Sequence, residues 1–319
     1  MGTAPLDWFA RRTYHAGDFD VEHLAAAKRA AGLSVSVVLP AKNEAGTVAE
    51  VVRTVVELKG RLVDEIVVLD GSSTDGTPEI AEAAGARVCL AADVMPELGP
   101  TLGKGDALWR SLTVTSGDLV VFLDSDIANP DPRFVRGLLG PLLNEPDVAL
   151  VKGFYDRPVE VAGVLHPTGG GRVTELCARP LLNLLWPELA GLVQPLAGEY
   201  AGRRSLLERL PFFCGYGVEL GLLIDTAEAA GVDAIAQVDL EVRIHRNQAI
   251  PALSRMAFGV AQVAWQRAAG RLGPPGAAVV PSELVQFTRS EEGWVQPVVT
   301  EIEMVERPPL RKQPGEPVG

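Results

Sequence analysis

Short apolar runs alternate with segments of helical periodicity through the first 123 residues of the chain. The runs Val35–Leu39, Glu65–Leu69 and Asp118–Leu123 are nearly continuous in apolar character, which is typical of parallel strands buried on both faces. A shorter run at Ala86–Leu90 predicts a further strand. Between the runs, the sequence predicts helices over residues 44–58, 77–84 and 104–116. This alternation predicts an α/β fold with a Rossmann-like, mostly parallel sheet flanked by helices.

The rest of the chain is divided by composition. Residues 1–32 are predicted to be an irregular N-terminal arm with a short helix around Val21–Ala31, and residues 33–130 to form the first half of the α/β domain. Residues 131–250 are predicted to form a second half of the same domain, with strands over 148–154 and 234–245 and a helix over 173–185. Residues 251–319 continue a helix over 250–269 into a tail. From Gly273 onward Pro, Gly and charge are frequent, which predicts an extended or partly disordered tail.

Three strand ends carry polar or acidic groups: Pro40-Ala41-Lys42-Asn43-Glu44, Asp70-Gly71-Ser72-Ser73 and Asp124-Ser125-Asp126. In doubly wound sheets, ligands bind beyond the carboxyl ends of the strands. The three segments are therefore expected to line one edge. Carboxylates at i and i+2 suit a hard divalent cation, Mg²⁺ or Mn²⁺, which often bridges protein oxygens to a diphosphate. The alternative is a solvated turn in which Asp126 caps a helix.

Glycine-rich segments supply further candidates. Residues 70–77 are neither a Walker A loop nor a G-x-G-x-x-G fingerprint, and are either a phosphate- or ribose-binding turn or an ordinary strand-to-helix turn. Lys104, between Gly103 and Gly105, is either a point charge for a diphosphate or a surface lysine. Gly171, Arg172 and Thr174 follow two other glycines at a predicted helix start, which suits a phosphate or carboxylate, although a flexible hairpin has the same composition.

Two more segments contain chemically active side chains. His245 follows an apolar strand and is either a metal ligand beside Asp126 or a structural histidine, and Arg246 or Asn247 is a candidate for an anion contact. Tyr216 and Glu219 are either sugar contacts or part of an ordinary helix N-terminal turn.

The overall charge limits the class of ligand. The 319 residues carry a net charge of −12, with a pI near 4.9, which argues against nucleic acid as a partner. An anionic small molecule needs a local basic pocket in such a protein.

Three widely spaced cysteines without a CxxC motif favour a reducing cytoplasm. We find no signal-peptide pattern and no apolar run long enough to span a membrane.

The motifs resemble a known family. Val-Val-Leu-Pro-Ala-Lys-Asn-Glu, Asp-Gly-Ser-Ser-Thr-Asp-Gly-Thr and Phe-Leu-Asp-Ser-Asp, in this order, resemble the nucleotide-sugar glycosyltransferases of the GT-A fold. More narrowly, the chain resembles the actinobacterial glucosyl- and mannosyl-3-phosphoglycerate synthases over residues 33–250. The segments that carry this narrower resemblance are 103–111, 168–176, 194–200, 215–219 and 234–247.

The resemblance implies a retaining transfer of glucose or mannose from UDP-glucose or GDP-mannose to the 2-hydroxyl of 3-phosphoglycerate, dependent on Mg²⁺ or Mn²⁺, by a homodimer built partly from residues 251–319. It implies that residues 33–130 are the nucleotide-sugar-binding half and residues 131–250 the acceptor-binding half of one domain. It implies a catalytic role for Asp124, Lys104 and Glu219, and a metal site at Asp126 and His245. The nucleotide sugar would contact Pro40, Ala41, Lys42, Glu44, Asp70, Ser72, Lys104, Ser125 and Tyr216. The phosphoglycerate would contact Gly171, Arg172, Thr174 and Asn247. Lys42 and the order of residues 70–73 depart from the family pattern, so the donor base is left open.

Three other functions fit part of the pattern. A sugar-nucleotide nucleotidyltransferase also uses a parallel sheet, a metal and carboxylates, but it usually carries a basic glycine-rich loop where this chain has residues 40–44. A catalytically silent nucleotide-sugar-binding protein would not need Asp124, Asp126 and His245. A lipid-linked transferase is disfavoured because the sequence has neither a membrane span nor a basic amphipathic helix.

Overall fold

The computed structural model describes residues 4–161, 164–166, 170–244, 249–268, 271 and 283–301. Its strands, in chain order, are β1 (Thr13–His15), β2 (Val35–Ala41), β3 (Glu65–Asp70), β4 (Arg87–Leu90), β5 (Leu119–Phe122), β6 (Leu150–Asp156), β7 (Val159–Val161), β8 (Val164–His166), β9 (Tyr200–Arg203), β10 (Ile235–Val242), β11 (Glu283–Arg289) and β12 (Val295–Glu301). Its α-helices are α1 (Ala4–Arg12), α2 (Val21–Ala31), α3 (Val48–Val56), α4 (Thr77–Ala84), α5 (Lys104–Ser111), α6 (Arg133–Asn144), α7 (Arg179–Leu185), α8 (Arg204–Leu207), α9 (Val218–Ala230) and α10 (Ile250–Ala268).

One eight-stranded sheet organises the molecule, in the order β1-β10-β6-β9-β5-β2-β3-β4. Every neighbouring pair in it is parallel except those of β9, which runs antiparallel to both β5 and β6. The mostly parallel sheet predicted from the alternation is therefore confirmed. Because β3 and β5 both pair with β2 in parallel, the carboxyl ends of these three strands lie at the same edge.

The two faces of the sheet are covered by different helices. Along β2, Val37 and Leu39 pack into a cluster with side chains of α2, α3 and α6. Val38, between them, packs on the other face with side chains of α5, α7, α9 and α10. All three side chains are completely buried. This explains why β2 has no polar face: alternate side chains enter two different cores.

Two predicted helices are shorter than expected. Helix α3 begins at Val48 rather than at residue 44. In the segment before it, the N–H groups of Glu44 and Ala45 donate to Thr77 Oγ1 and Asp75 Oδ2 of the neighbouring turn. Helix α5 ends at Ser111 rather than at residue 116. Its last carbonyls accept bonds from nearby hydroxyls, including Thr115 Oγ1 to the Ser111 carbonyl, which compete with continued helix.

The expectation of an irregular N-terminal arm is wrong. Helix α1 buries Trp8, whose indole N–H donates to the Val232 carbonyl, and β1 joins the sheet by parallel pairing with β10. The predicted helix Val21–Ala31 is confirmed. Asp20 caps its N-terminus, and Gly32 ends it in the left-handed region at φ 65°.

The C-terminal segment also differs from the prediction. Within the part of the tail that the structure describes, β11 and β12 form an antiparallel hairpin that packs on the domain. Phe287 stacks on Phe9 with ring centroids 5.3 Å apart, and Arg289 bonds to Asp156 and Asp239.

The predicted helix over 173–185 is present, but a π-helical turn at Thr174–Ala178 precedes α7, where Pro180 lacks a backbone donor.

Candidate active site

A cleft of about 450 Å³ opens at the sheet edge where β2, β3 and β5 end. Most of the candidates predicted from sequence line it: Pro40, Ala41, Lys42, Glu44, Lys104, Asp124, Ser125, Asp126, Gly171, Arg172, Thr174, Tyr216 and Glu219. Asp70 and Ser72 lie beside it, with Gly71 between them on the cleft wall. His245 and Asn247 lie outside the described residues.

The end of β2 is fastened to the turn that follows β3. Asn43 adopts the left-handed conformation at φ 59°, which asparagine tolerates better than most residues. Its backbone N–H donates to Ser73 Oγ, and its side-chain carbonyl accepts from the Thr74 N–H. Asp70 accepts from the Ser73 N–H and is buried. The structure therefore places Asp70 under the turn, where it shapes the cleft wall.

Asp124 and Asp126 each face a positive charge. Lys104 Nζ lies 2.6 Å from Asp124 Oδ1, and an Arg243 amino group lies 3.1 Å from Asp124 Oδ2 and 2.5 Å from Asp126 Oδ1. Burial alone would raise the pKa of Asp124, but Lys104 and Arg243 hold that pKa well below its usual range. These two cations explain how a buried strand can lead directly into two carboxylates.

Two glycines bring Lys104 into the cleft. Gly103 has φ 110°, and a Cβ on Gly105 would lie 1.8 Å from the Phe213 carbonyl oxygen. The lysine then reaches both Asp124 and Glu219, the latter at 3.0 Å. Burial alone would lower the pKa of Lys104, but these two carboxylates raise it well above its ordinary value. Lys104 is therefore a charged ammonium at the centre of the cleft.

Comparison with known proteins identifies the family to which the chain belongs. The family model described as glycosyl transferase family 2 matches residues 36–210. The chain belongs to that glycosyltransferase family. A glucosyl-3-phosphoglycerate synthase of Mycolicibacterium smegmatis is 48% identical over 95% of this chain and 97% of its own length. One from Petrotoga mobilis is 45% identical over 95% and 94%.

Two solved structures are similar to this glycosyltransferase in fold. Mannosyl-3-phosphoglycerate synthase from Rubrobacter xylanophilus has a TM-score of 0.78 and 42% identity, covering 96% of this chain and 97% of its own. Glucosyl-3-phosphoglycerate synthase from Mycobacterium tuberculosis has a TM-score of 0.72 and 47% identity, covering 92% and 94%. The latter was solved in complex with Mn²⁺, UDP-glucose and phosphoglyceric acid. The resemblance that the sequence motifs indicate, including the GT-A fold, is confirmed.

Sequence reasoning about this glycosyltransferase missed three buried polar residues of the site. Arg243 is 3% exposed and pairs with Glu199, which is completely buried, as well as with the two aspartates. The Tyr155 hydroxyl lies 2.5 Å from Glu199 Oε2. Burial and the nearby Asp124 raise the pKa of Glu199, and burial raises the pKa of Tyr155 to about 12. Arg243 lies within the strand predicted over 234–245, and its position two residues before His245 is the local signal that could have found it.

Lys152, on β6, is also buried below the cleft. It donates to the Ala197 carbonyl, and its Nζ lies 4.6 Å from the centre of the Tyr200 ring. Burial, with repulsion from Lys104, lowers the pKa of Lys152 to about 7. The segment that it holds passes close to Asp124, because a Cβ on Gly198 would lie 2.2 Å from Asp124 Oδ2.

The other end of the cleft is formed by the start of the helical segment before α7. Gly171 has φ 74°, and Thr174 is buried beside it. Arg172 lines the cleft there, as does Arg157 from the end of β6. Tyr216 is 54% exposed at the mouth, whereas Glu219 is buried on α9. This end combines two guanidinium groups with the backbone N–H groups of a helix start.

One described residue, Asp126, suits a divalent cation as a single ligand. Its carboxylate is 45% exposed and lines the cleft, and it is paired with the Arg243 guanidinium, which a cation would have to displace. Within the described ranges, no group of three His, Cys, Asp or Glu side chains is arranged to hold a metal, and the second predicted ligand, His245, lies outside them.

Across the same ranges, no helix is both long enough and apolar enough to cross a membrane.

Proposed function

We propose that this glycosyltransferase transfers glucose from UDP-glucose to the 2-hydroxyl of 3-phosphoglycerate with retention of configuration, with mannose from GDP-mannose as the competing donor. The observation that carries the proposal is the arrangement of the cleft. Lys104, Asp124 and Asp126 lie at the sheet edge where nucleotides bind in this topology, and Arg172 lies at the opposite end. We propose UDP-glucose rather than GDP-mannose as the donor, because the relatives named above with 45% and 48% identity are glucosyl-3-phosphoglycerate synthases.

The donor half of the cleft suits a nucleotide diphosphate. A Mg²⁺ or Mn²⁺ ion held by Asp126 and His245 would act as a Lewis acid toward the departing diphosphate. Lys104 adds a fixed positive charge in the same region, and Asp124 with Glu219 orients its ammonium. Pro40, Ala41, Lys42 and Glu44 form the wall that the nucleoside would contact, and Ser125 fixes this wall by donating to the Pro40 carbonyl.

The transfer is proposed to occur on one face of the sugar, without a covalent intermediate. Asp124, Asp126 and Glu219 each lie against a cation, which reduces the nucleophilicity of a carboxylate. The acceptor hydroxyl would attack from the side of the departing diphosphate, whose oxygen would take its proton. The protein then contributes positioning and electrostatic stabilisation. A glycosyl-enzyme adduct trapped on any of these carboxylates would contradict this mechanism.

A donor panel tests the proposed reaction. The protein is incubated with 3-phosphoglycerate, Mg²⁺ or Mn²⁺, and either UDP-glucose or GDP-mannose, and nucleotide release is followed with and without EDTA. We expect release that needs metal and both substrates, and that is faster with UDP-glucose. Binding of the donor without turnover would favour a silent binding protein, and formation of a sugar nucleotide from a nucleoside triphosphate would favour a nucleotidyltransferase.

We also propose that the protein is a homodimer that uses one face of α10. Ile250, Phe258 and Trp265 lie on the same side of this helix and are between 67% and 74% exposed. Leu176 and Leu184, on the helical segment packed against α10, are exposed as well. Light scattering after size exclusion should give twice the chain mass of 33.9 kDa for the wild type and the monomer mass for Trp265→Glu. A monomeric wild type would exclude this assembly.

A cytoplasmic location completes the proposal. The three cysteines are all free, which suits a reducing compartment. Fractionation of cells that express the chain should place the activity in the cytoplasmic fraction, and activity in an extracellular or membrane fraction would contradict it.

A further inference from the structure

Arg157 lies in the same wall of the cleft as Arg172. The Gly170 N–H donates to the Arg157 carbonyl at 3.2 Å, and a Cβ on Gly170 would lie 2.3 Å from Arg157 Cβ. Only a glycine allows the chain to pass so close. The backbone leading to Gly171 and Arg172 is therefore built against Arg157, and both arginines line the cleft.

Two other basic groups of the cleft, Lys104 and Arg243, are in contact with Asp124 and are already neutralised. Lys104 pairs with two carboxylates, and Arg243 pairs with three. Among the described residues, no carboxylate lies within 4 Å of the Arg157 guanidinium. Its partner there is Tyr155: an amino group donates to the Tyr155 hydroxyl at 2.8 Å, and the guanidinium carbon lies 5.0 Å from the centre of the ring. Its Nε is buried without a hydrogen-bond partner. Arg157 therefore brings into the cleft a positive charge without a carboxylate counterpart in the described chain.

The acceptor of the proposed reaction has two anionic groups in a fixed relation to the reacting hydroxyl. Its carboxylate is attached to the carbon that carries this hydroxyl, whereas its phosphate is one carbon further away. Arg172 and the N–H groups of the helix start are suited to a phosphate. The guanidinium of Arg157 is joined to the buried polar network at the strand ends, because the Tyr155 hydroxyl that it contacts also contacts Glu199 and Arg243.

We propose that Arg157 binds the carboxylate of the acceptor and so determines its specificity for a phosphorylated 2-hydroxy acid over the corresponding phosphorylated alcohol. This inference rests on the proposed function and adds the residue that distinguishes the acid from the alcohol. A guanidinium can hold a carboxylate through two parallel hydrogen bonds, which gives geometric selection as well as charge.

The test compares two acceptors that differ only at the carboxylate. Glycerol 3-phosphate has the same phosphate and the same 2-hydroxyl as 3-phosphoglycerate, but a hydroxymethyl group replaces the carboxylate. For Arg157→Met we expect kcat/KM with 3-phosphoglycerate to fall about 10- to 100-fold, mainly through KM, and kcat/KM with glycerol 3-phosphate to change less than about 3-fold. Arg157→Lys should recover part of the loss, since it keeps the charge. Arg172→Met is the matched control and should weaken both acceptors.

A purely structural role of Arg157 gives a different result. If Arg157 only oriented Tyr155 and Glu199, the Met variant would lose kcat equally with both acceptors, and that outcome would overturn the proposal. Circular dichroism and the melting temperature exclude a misfolded variant. A wild-type protein that fails to use either acceptor would instead refute the proposed function, so the two failures are distinguishable.

Discussion

Asp124 keeps its charge because Lys104 and Arg243 lie on either side of its carboxylate. Replacement of Lys104 by Met removes one of these cations and leaves Asp124 and Glu219 close together without a positive charge between them. The pKa of Asp124, which Lys104 helps to hold well below its usual range, then rises. We expect kcat to fall about 100-fold or more. We also expect the acid limb of the pH–rate profile to move to higher pH, because a larger fraction of Asp124 is protonated at a given pH.

Lys28→Met is the matched control for Lys104→Met. Lys28 forms an equally short ion pair with Asp64, at 2.6 Å, and its side chain is 7% exposed, but it lies on α2 away from the cleft. This variant should lose stability without any change in the pH–rate profile. If both variants shifted the profile alike, the effect of Lys104 would be on general stability and not on Asp124.

Lys152 makes the free energy of unfolding depend on pH, because burial lowers its pKa. Burial lowers its pKa from 10.5 to about 7, so between about pH 7 and pH 10 the unfolded chain binds a proton at Lys152 that the folded chain does not. The free energy of unfolding therefore rises with pH across this window, by at most about 1.4 kcal/mol per pH unit from this group. Lys152→Met removes this contribution. Urea unfolding at several pH values should show a shallower rise for the variant, whereas parallel curves would contradict the lowered pKa.

At the scale of elements, the start of α5 depends on the absence of a side chain at Gly105. A methyl group there would overlap the Phe213 carbonyl, so Gly105→Ala must displace either α5 or the segment before α9. We expect a loss of about 1 to 3 kcal/mol in the free energy of unfolding and a larger relative loss of activity, since Lys104 adjoins the displaced residue. Thermal melts and kcat measure the two effects. Gly46→Ala, where no atom lies within 4 Å of the added methyl group, should leave both nearly unchanged.

The elements predicted well from the sequence are those formed by local interactions. The strands β2, β3 and β5 follow from apolar runs, and α4 follows from Pro78 at its start and Gly85 at its end. What sequence could not provide depends on distant pairing. β1 is three residues long and becomes a strand only through pairing with β10, more than 200 residues later.

Dependence on distant pairing also explains why some residues of the site could not be predicted from the sequence. Arg243 meets Asp126 across 117 positions, and it directly follows β10, whose pairing with β6 shifts register between Asp239 and Val242. Asp124, Asp126, Lys104 and Glu219, by contrast, stand in short motifs whose spacing already indicates a site. Their grouping in one cleft follows from the parallel sheet, and their individual roles stay predictions.

At the scale of the whole molecule, positive charge is concentrated where the ligands are proposed to bind. The chain carries a net charge of −12, yet Lys104, Arg157, Arg172 and Arg243 all line one cleft. Asp124, Asp126 and Glu219 line the same cleft and neutralise part of this charge, so the attraction of anionic ligands is local and weakens as salt is added. The carboxylates within the cleft keep several of these cations in place when no anion is bound.

The C-terminal hairpin is tied to the sheet beside this cleft, and Arg289 makes the connection. Its guanidinium bonds to Asp156, which precedes Arg157, and to Asp239, which is 7% exposed on β10. Arg289→Met leaves two adjacent carboxylates without their cation and loosens the hairpin from the domain. We expect a loss of about 2 kcal/mol in the free energy of unfolding and a higher KM for the acceptor, because the strand end that carries Arg157 is less constrained.

Arg11→Met, which breaks an ion pair with both side chains more than half exposed, is the control and should cost less than about 1 kcal/mol. Equal losses in the two variants would mean that the hairpin packs on the domain without stabilising it through Arg289.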